Sequence, residues 1–287
     1  MKRCVSCGST LEGTWDCPGC GFEPQSDNGL LCFAPDAAGG GNGFDPASFE
    51  HLAAIEEESF WFRARSRLIL WALERYFPST ASMLEIGCGT GYVLAGIANA
   101  HPGIRLAGAD LYPEGLRFAR ERVPAADLYQ LDATNIPFKD EWDVVGAFDV
   151  LEHVPDDEAF LAGAWTAVRP GGGLLVTVPQ HPSLWSAADD YAHHVRRYRR
   201  GELVEKVERA GFRVERVTSF VSLLLPALWL SRLRDRNRGE DFDPVREHTS
   251  TRGLGALESA LNLERRGIER GVNLPAGGSL LLVASRP

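Results

Sequence analysis

Long apolar runs are missing from this 287-residue chain, and none approaches the roughly 20 residues that span a bilayer. The first residues, MKRCVSCG, also lack the apolar core of a secretory signal. Positive charge is scarce, because 30 lysines and arginines stand against 39 acidic residues and leave a net charge of −9. Nucleic-acid affinity depends mostly on Lys and Arg that neutralise phosphates, so this balance disfavours nucleic acid as a partner. We therefore expect a soluble, cytoplasmic protein.

Cysteine is also sparse, and four of the six cysteines form two CxxC pairs near the start of the chain, each followed by glycine. Four thiolates supply closed tetrahedral coordination for zinc, and glycine lets the backbone fold back toward the sulfur atoms. A segment this short buries too little apolar surface to fold without such a metal. The pattern resembles a zinc ribbon, predicted at residues 1–35. The predicted ligands of a structural zinc ion are Cys4, Cys7, Cys17 and Cys20.

Beyond this module the sequence predicts one large domain. Glycines and small residues indicate a linker at 36–44, and helical apolar spacing then predicts one or two helices ahead of the first strand. Seven short apolar runs alternate with helical stretches, and they are SMLEIGC, RLAGADL, DLYQLDA, DVVGAF, GLLVTVP, VERVTSF and GGSLLLVAS. This alternation predicts an α/β fold with a doubly wound, mostly parallel sheet in a domain at 45–287.

The last third of the domain contains a predicted helical insertion at about 221–270. Its first part, FVSLLLPALWLSRLRDRNR, places an apolar stretch ahead of four arginines. This pattern fits a lid over a pocket, and contact with a lipid-like acceptor or a membrane surface is an alternative. Pro226 interrupts the stretch, which is too short to cross a bilayer, so membrane-surface contact is the weaker alternative.

Glycines recur at alternate positions in the turn after the first predicted strand, LEIGCGTGY. Gly87, Gly89 and Gly91 leave the backbone bare, with Glu85 just before them, so that a ligand can lie against the main chain. A dinucleotide fingerprint needs another glycine where Tyr92 stands. The turn therefore suits a nucleoside that carries no phosphate.

Two acidic residues, Asp110 and Asp132, follow at the carboxyl ends of the second and third predicted strands. A carboxylate at Asp110 can accept hydrogen bonds from both hydroxyls of a ribose. Asp132 and the backbone amide of Ala133 can bind an adenine edge. Leu111, beside the first acid, and Phe148, at the end of the fourth strand, complete the predicted cofactor contacts.

These motifs together resemble class I S-adenosylmethionine-dependent methyltransferases over residues 60–180, through LEIGCGTGY, GADLYP, the LDA step and FDVLEHVPD. The resemblance implies a Rossmann-like methyltransferase fold with a seven-stranded sheet and S-adenosylmethionine as the cofactor. It assigns the glycine turn, with Glu85 behind it, to the methionine and ribose portion. It assigns Asp110 to the ribose and Asp132 to the adenine.

The predicted catalytic residues follow the fourth strand. His153 has the ordinary pKa nearest neutrality and is the predicted base, with Glu152 beside it and His193 on a later loop. The D-x-x-E-H spacing is also similar to the E-x-x-E-H of ubiquinone-pathway O-methyltransferases and small-RNA 2′-O-methyltransferases, which hold a divalent metal. Asp149 replaces the first Glu, so a metal at these residues would need a further ligand such as His193.

Three functions remain open from the sequence. A small-molecule methyltransferase is favoured by the acidic composition and by the predicted insertion, and the acceptor could be lipid-like or, through arginines at 196–200, acidic. An RNA methyltransferase guided by the zinc ribbon is the alternative, since ribosomal-RNA guanine N1 enzymes have a similar arrangement. The third is a non-catalytic interaction protein that contains zinc. The oligomeric state is left open.

Overall fold

A nine-stranded sheet with helices on both faces dominates the structure, a computed structural model that describes residues 1–39, 45–235 and 254–287. The strands are β1 (Lys2–Arg3), β2 (Thr10–Leu11), β3 (Gln25–Asp27), β4 (Leu30–Cys32), β5 (Ser82–Ile86), β6 (Arg105–Asp110), β7 (Asp127–Gln130), β8 (Trp142–Phe148), β9 (Val168–Pro179), β10 (Arg213–Phe220) and β11 (Ser279–Ser285). The helices are α1 (Ser48–Ile55), α2 (Phe60–Tyr76), α3 (Tyr92–Ala100), α4 (Pro113–Arg122), α5 (Asp157–Ala167), α6 (Ala187–Tyr191), α7 (Arg200–Arg209), α8 (Leu225–Asp235) and α9 (Leu254–Glu269).

The strand order in the large sheet is β10-β11-β9-β8-β5-β6-β7-β4-β3. The neighbours from β9 to β4 run parallel, whereas β11 lies antiparallel between β9 and β10. Helix α3 separates β5 from β6, α4 separates β6 from β7, and α5 separates β8 from β9, whereas β8 follows β7 without a helix. The prediction of a doubly wound, mostly parallel α/β fold is confirmed.

The number of strands in the sheet differs from the prediction of seven. Strands β5 to β11 supply those seven, and the hairpin β3–β4 adds two more at the outer edge of β7. Leu31 of β4 lies beside Tyr129, and Cys32 lies beside Gln130. An uncovered edge strand leaves a row of backbone N–H and C=O groups unpaired, and the hairpin satisfies them. These strands come from the range predicted as the zinc ribbon.

The domain limits 1–35, 36–44 and 45–287 stay predictions. A short 3-10 helix occupies Pro35–Gly39 at the start of the predicted linker, and residues 40–44 lie outside the described residues. Helices α8 and α9 fall within the predicted insertion, and residues 236–253 lie outside the described residues. No helix in the described ranges combines the length and the apolar character needed to cross a bilayer.

Apolar layers cover both faces of the sheet. Helices α5 and α7 pack on one face, and α2, α3, α4 and α9 pack on the other. Because both faces are covered, β5 is buried along its whole length and has a continuous run rather than an alternating pattern. The carboxyl ends of β5, β6, β7, β8 and β9 meet at one edge, where open α/β sheets bind ligands.

Candidate cofactor and acceptor site

The turn between β5 and α3 requires glycine at two positions for steric reasons. Gly87 and Gly91 have φ angles of +70° and +76°. A Cβ atom on Gly87 would lie 2.3 Å from Val150 Cγ2, and one on Gly91 would lie 2.8 Å from Ala119 Cα. Gly87 and Gly89 are half-exposed, so the backbone of this turn is accessible to a ligand.

Asp110 ends β6 and holds the glycine turn in shape. Its Oδ2 accepts a hydrogen bond from the Gly89 N–H at 2.9 Å, and its Oδ1 accepts one from the Tyr112 N–H at 2.9 Å. Burial raises the pKa of Asp110 to about 6, although these N–H groups and that of Leu111 oppose the shift. A carboxylate has about four acceptor positions, so capacity remains for the two hydroxyls of a ribose.

Glu85 lies behind the turn, one residue before the end of β5. Its side chain is buried, and Oε2 has no hydrogen-bond partner among the described residues. Burial raises the pKa of Glu85 to about 8, against the opposing charge of Arg65. A buried polar atom without a partner is costly, and a polar group of a bound ligand would satisfy it. The site therefore offers both a bare backbone cradle and, among the described residues, a buried polar atom without a partner.

The predicted adenine-binding residue, Asp132, lies just after the end of β7. Asp132 Oδ1 accepts hydrogen bonds from the N–H and the hydroxyl of Thr134, both at 2.8 Å, which closes a tight turn. Ala133 is half-buried within this turn. Phe148, by contrast, packs into the apolar layer on the α2 face, so its cofactor contact stays a prediction.

Helix α1 lies against the glycine turn, a contact that the sequence did not predict. A Cβ atom on Gly89 would lie 3.5 Å from Phe49 Cε1. At the end of the helix, Glu56 accepts hydrogen bonds from the Thr90 hydroxyl at 2.6 and 2.8 Å and pairs with Arg122 at 2.5 Å. These contacts fix α1 beside the turn.

Three potential metal-binding side chains converge beyond the end of β8. One ligand atom each of Glu152, His153 and His194 lies within 4.8 Å of the others. Glu152 is buried, and its Oε2 has no hydrogen-bond partner within the described ranges. Burial raises the pKa of Glu152 well above its usual range, and the charge of Asp149 adds to the shift. Burial, together with the imidazoles of His194 and His193, lowers the pKa of His153 to about 3.

A carboxylate on the next loop orients His194. The Nδ1 atom of His194 lies 2.8 Å from Asp189 Oδ1, and the Arg197 Nε–H donates to the same oxygen at 2.7 Å. Although burial opposes it, these hydrogen bonds and the charge of Arg197 hold the pKa of Asp189 at about 2. With Nδ1 engaged, Nε2 of His194 is the ring nitrogen left for the cluster. Metal-binding histidines commonly have such a carboxylate partner.

Two residues of the sequence-based hypothesis lie apart from this cluster. Asp149 forms an ion pair with Arg65 and accepts a hydrogen bond from the Thr177 hydroxyl at 3.3 Å. His193 is exposed and has a φ of +54°, in the left-handed region. The turn at this residue places the following His194, not His193, beside Glu152.

The four N-terminal cysteines converge as a zinc site requires. Their Sγ atoms all lie within 4.8 Å of one another, with Cys4 and Cys20 at 3.6 Å and Cys7 and Cys17 at 3.5 Å. Zinc–sulfur bonds of about 2.3 Å in a tetrahedron would place sulfur atoms about 3.8 Å apart. The geometry of the cysteines therefore fits a zinc ion.

An open apolar groove of about 690 Å³ lies at the same sheet edge, between the loop after β9 and helix α8. Leu184 and Leu225 contribute to its lining, as do Trp229 and Leu230. The last two are about half exposed, an unusual state for side chains of this size.

The α/β sheet, the glycine turn and the acid at the end of β6 define the class of protein: an S-adenosylmethionine-dependent methyltransferase. The comparison with protein families agrees, since the model described as "Methyltransferase domain" matches residues 55–217. The chain belongs to this family of methyltransferase domains.

Individual relatives support the same class. The chain is 30% identical over 170 residues to a Mycolicibacterium smegmatis protein named as a probable S-adenosylmethionine-dependent methyltransferase, covering 57% of this chain and 63% of that protein. It is 33% identical over 105 residues to a trans-aconitate 2-methyltransferase of Variovorax paradoxus, covering 36% and 40% respectively. The chain thus spans less than two thirds of the length of either relative.

A solved structure supports the fold. One chain from the complex of the Haloferax volcanii Trm112 methyltransferase activator with a methyltransferase superposes with a TM-score of 0.55 at 22% identity. The match covers 84% of this chain and 97% of the other.

Proposed function

We propose that this enzyme transfers the methyl group of S-adenosylmethionine to a small-molecule acceptor with an apolar portion. The observation that carries the proposal is that donor and acceptor residues share one sheet edge. The glycine turn and Asp110 follow β5 and β6, and Glu152 and His153 follow β8, the neighbour of β5 on its other side. Adjacent strands lie about 4.8 Å apart, so a methyl group above the turn has this cluster within reach.

The donor side needs only to bind and align the cofactor. The sulfonium supplies an electrophilic methyl group, and aligning a nucleophile with it accounts for most of the rate. We assign the methionine portion to Glu85, Gly87 and Gly89, the ribose to Asp110, and the adenine to Asp132. Gly91, Leu111, Ala133 and Phe148 complete the proposed cofactor contacts.

On the acceptor side, we assign Glu152, His153 and His194 to a divalent transition metal. A pKa of about 3 makes His153 a weak base at neutral pH, whereas a neutral imidazole is a good metal ligand. The unpaired Glu152 Oε2 would gain a partner in the metal. A divalent cation held by these three residues would supply Lewis-acid chemistry toward a hydroxyl group of the acceptor. The exposed His193 is left to contact the acceptor.

The groove supports an apolar acceptor over an acidic one. Its lining places Leu225, Trp229 and Leu230 around an open volume large enough for an alkyl or prenyl chain. Two of the four arginines at 196–200 are engaged within the protein, since Arg196 pairs with Asp157 and Arg197 with Asp189. The trans-aconitate enzyme among the relatives carries the name of a small-acid methyltransferase, so small acids belong in the acceptor screen.

The RNA alternative depends on the zinc module as a binding finger. Its two basic side chains are engaged, because Lys2 stacks on Trp15 and Arg3 bonds Asn135. The net charge of −9 also disfavours binding to RNA. We also propose that the four N-terminal cysteines, which form a site separate from the acceptor cluster, hold a structural zinc ion. The predicted cytoplasmic location stays an expectation.

Two measurements test the proposal. Calorimetry should show one S-adenosylmethionine molecule bound per chain. A cell extract incubated with enzyme and methyl-tritiated cofactor should then be separated into organic-soluble, aqueous small-molecule and RNA fractions. We expect the label in the organic-soluble fraction, and label concentrated in RNA would refute the small-molecule assignment.

A further inference from the structure

The N-terminal module, residues 1–34, forms hydrogen bonds with the chain that follows Asp132, the proposed adenine-binding residue. The Arg3 N–H donates to the Pro137 carbonyl at 2.9 Å. The guanidinium of Arg3 donates to Asn135 Oδ1 at 3.3 Å and to the Ile136 carbonyl at 3.4 Å. In return, Asn135 Nδ2 donates to the Val5 carbonyl at 2.9 Å. Both ends of the Asn135 amide are thus bonded to the module.

Asn135 also belongs to the turn that Asp132 begins. Its N–H donates to the Asp132 carbonyl at 2.9 Å, and Thr134 bonds the Asp132 carboxylate within the same turn. A contact that fixes the Asn135 side chain therefore fixes the position of the Asp132 carboxylate.

The module also forms hydrogen bonds with the chain just before Asp132. The Phe33 N–H donates to the carbonyl of Gln130, the last residue of β7. The fully buried Gln130 side chain accepts from the Ala34 N–H at 3.1 Å and donates to the Ala34 carbonyl at 2.7 Å. The same Nε2 donates to the Leu111 carbonyl at 3.0 Å, next to the ribose acid Asp110. The Gln130 amide thus joins the module to Leu111, beside the ribose acid, and Gln130 itself lies two residues before Asp132 in the chain.

The cysteine site adjoins these contacts along the chain. Cys4 is buried between Arg3 and Val5 in the chain. Trp15, between the two CxxC pairs, packs edge-on against Phe33 and Phe138, with ring centroids 4.7 and 5.7 Å away. Ligation of the four cysteines by zinc would fix β1, whose Arg3 bonds Asn135, and Trp15, which packs against Phe33 and Phe138.

We propose that the N-terminal module is a positioning part of the cofactor site, in which zinc bound by the cysteines holds the Asp132 turn and thereby sets the affinity for the adenine of S-adenosylmethionine. The inference rests on the proposed cofactor contacts of Asp132 and on the proposed zinc. It assigns Arg3 and Asn135 as positioning residues that act through the turn. The module then serves the donor side of the reaction and has no need to contact the acceptor.

The test compares Asn135→Ala and Arg3→Ala with Arg120→Ala in the full-length chain. The exposed Arg120 guanidinium donates to the Asn28 carbonyl at 3.0 Å, so the control removes a bond to the same module at α4, away from the turn. All three variants should retain one zinc ion per chain by metal analysis. We expect Asn135→Ala and Arg3→Ala to bind S-adenosylhomocysteine about tenfold more weakly than the wild type, and Arg120→Ala to bind within twofold.

A second ligand separates positioning from general destabilisation. S-inosylhomocysteine differs in the base, where the amino group that Asp132 can bind is replaced by oxygen. The wild type should prefer the adenosyl ligand, and Asn135→Ala should lose most of that preference. A merely structural defect would weaken both ligands alike.

Zinc removal completes the experiment. The chelated chain should bind the adenosyl ligand at least about tenfold more weakly, because zinc no longer holds the Asp132 turn, and its affinity should recover on zinc addition. If the chelated chain unfolds, the zinc-replete Asn135→Ala variant decides. Wild-type affinity and preference in both turn variants would overturn the coupling and leave the proposed function standing. Failure of the folded wild type to bind either ligand would reject the proposed function as well.

Discussion

Replacing Asp110 with Asn tests the donor site most sharply, because it preserves the size of the side chain and removes its charge. The carboxylate accepts hydrogen bonds from two backbone N–H groups, at Gly89 and Tyr112, and has capacity for two ribose hydroxyls. Asn keeps one acceptor oxygen and places an amide group where the second oxygen stood. At least one charge-assisted bond to the ribose is then lost.

The loss of such a bond costs about 1.5–3 kcal/mol, which corresponds to at least a tenfold weaker Kd. We expect Asp110→Asn to bind S-adenosylmethionine at least about tenfold more weakly, as measured by calorimetry. The matched control is Asp127→Asn, since Asp127 is exposed at the opposite end of the neighbouring strand and pairs with Arg105 at 3.3 Å. The control should leave the affinity unchanged.

The pH dependence gives the same experiment a second readout. Because burial raises the pKa of Asp110 to about 6, the free enzyme carries the binding-competent carboxylate above pH 6 and loses it below. Wild-type affinity should therefore fall as the pH drops from 7 to 5, and Asp110→Asn should not show this fall. Equal affinities of wild type and variant at pH 7, or parallel pH profiles, would refute the assignment of the ribose to Asp110.

Four further predictions concern other parts of the site. Glu85→Gln should raise the free energy of unfolding at pH 7 by about 3 kcal/mol. The native Glu85 carboxyl, with its pKa raised to about 8, stays protonated where the unfolded one ionises, so the stability of the wild type falls between pH 4.5 and 8 and that of the variant should not. Urea titrations in which the stability of the variant falls as steeply with pH as that of the wild type would contradict this. Gly87→Ala should cost about 2 kcal/mol or more in the same titrations, because its Cβ would meet Val150 at a φ of +70°; an unchanged midpoint would contradict this. His194→Ala should weaken Mn²⁺ binding at least about tenfold by water-proton relaxation, and His193→Ala should not; equal effects would remove His194 as a ligand. Cys4→Ser should lower the zinc content of the purified chain well below one per molecule, and full zinc content would exclude that ligand.

The parts of the fold and site that the sequence predicted are those that local chemistry determines. Alternating glycines at positive φ and an acid at the end of the second strand are short-range features, and the structure brings the Asp110 carboxylate to the Gly89 N–H. The apolar runs of the buried strands predicted the parallel sheet for the same reason, since a strand covered on both faces must be apolar throughout.

The features that the sequence did not predict depend on contacts between distant segments. The hairpin β3–β4 joins a polar strand to a short apolar one, and its place in the sheet follows from the open edge of β7, which lies about a hundred residues away in the chain. Phe49 and Glu56 reach the glycine turn from a helix whose own pattern shows only a packing face. Neither contact has a counterpart in local spacing.

The acceptor cluster shows a subtler limit. Two adjacent histidines have equal chemistry, and the turn at His193, with its left-handed φ, accompanies the placement of His194 beside Glu152. Asp149 has the spacing of a metal ligand, but the buried Arg65 pairs with it. The presence of Asp189 five residues before His194 was the one indication in the sequence of an oriented imidazole.

The most direct test of the donor site is a crystal structure of the chain with S-adenosylhomocysteine bound. We predict ribose hydroxyls within hydrogen-bonding distance of the Asp110 carboxylate, the adenine beside Asp132, and the sulfur above the glycine turn facing Glu152. A ligand bound away from the carboxyl edge of the sheet, or a sugar that Asp110 does not contact, would contradict the proposed site.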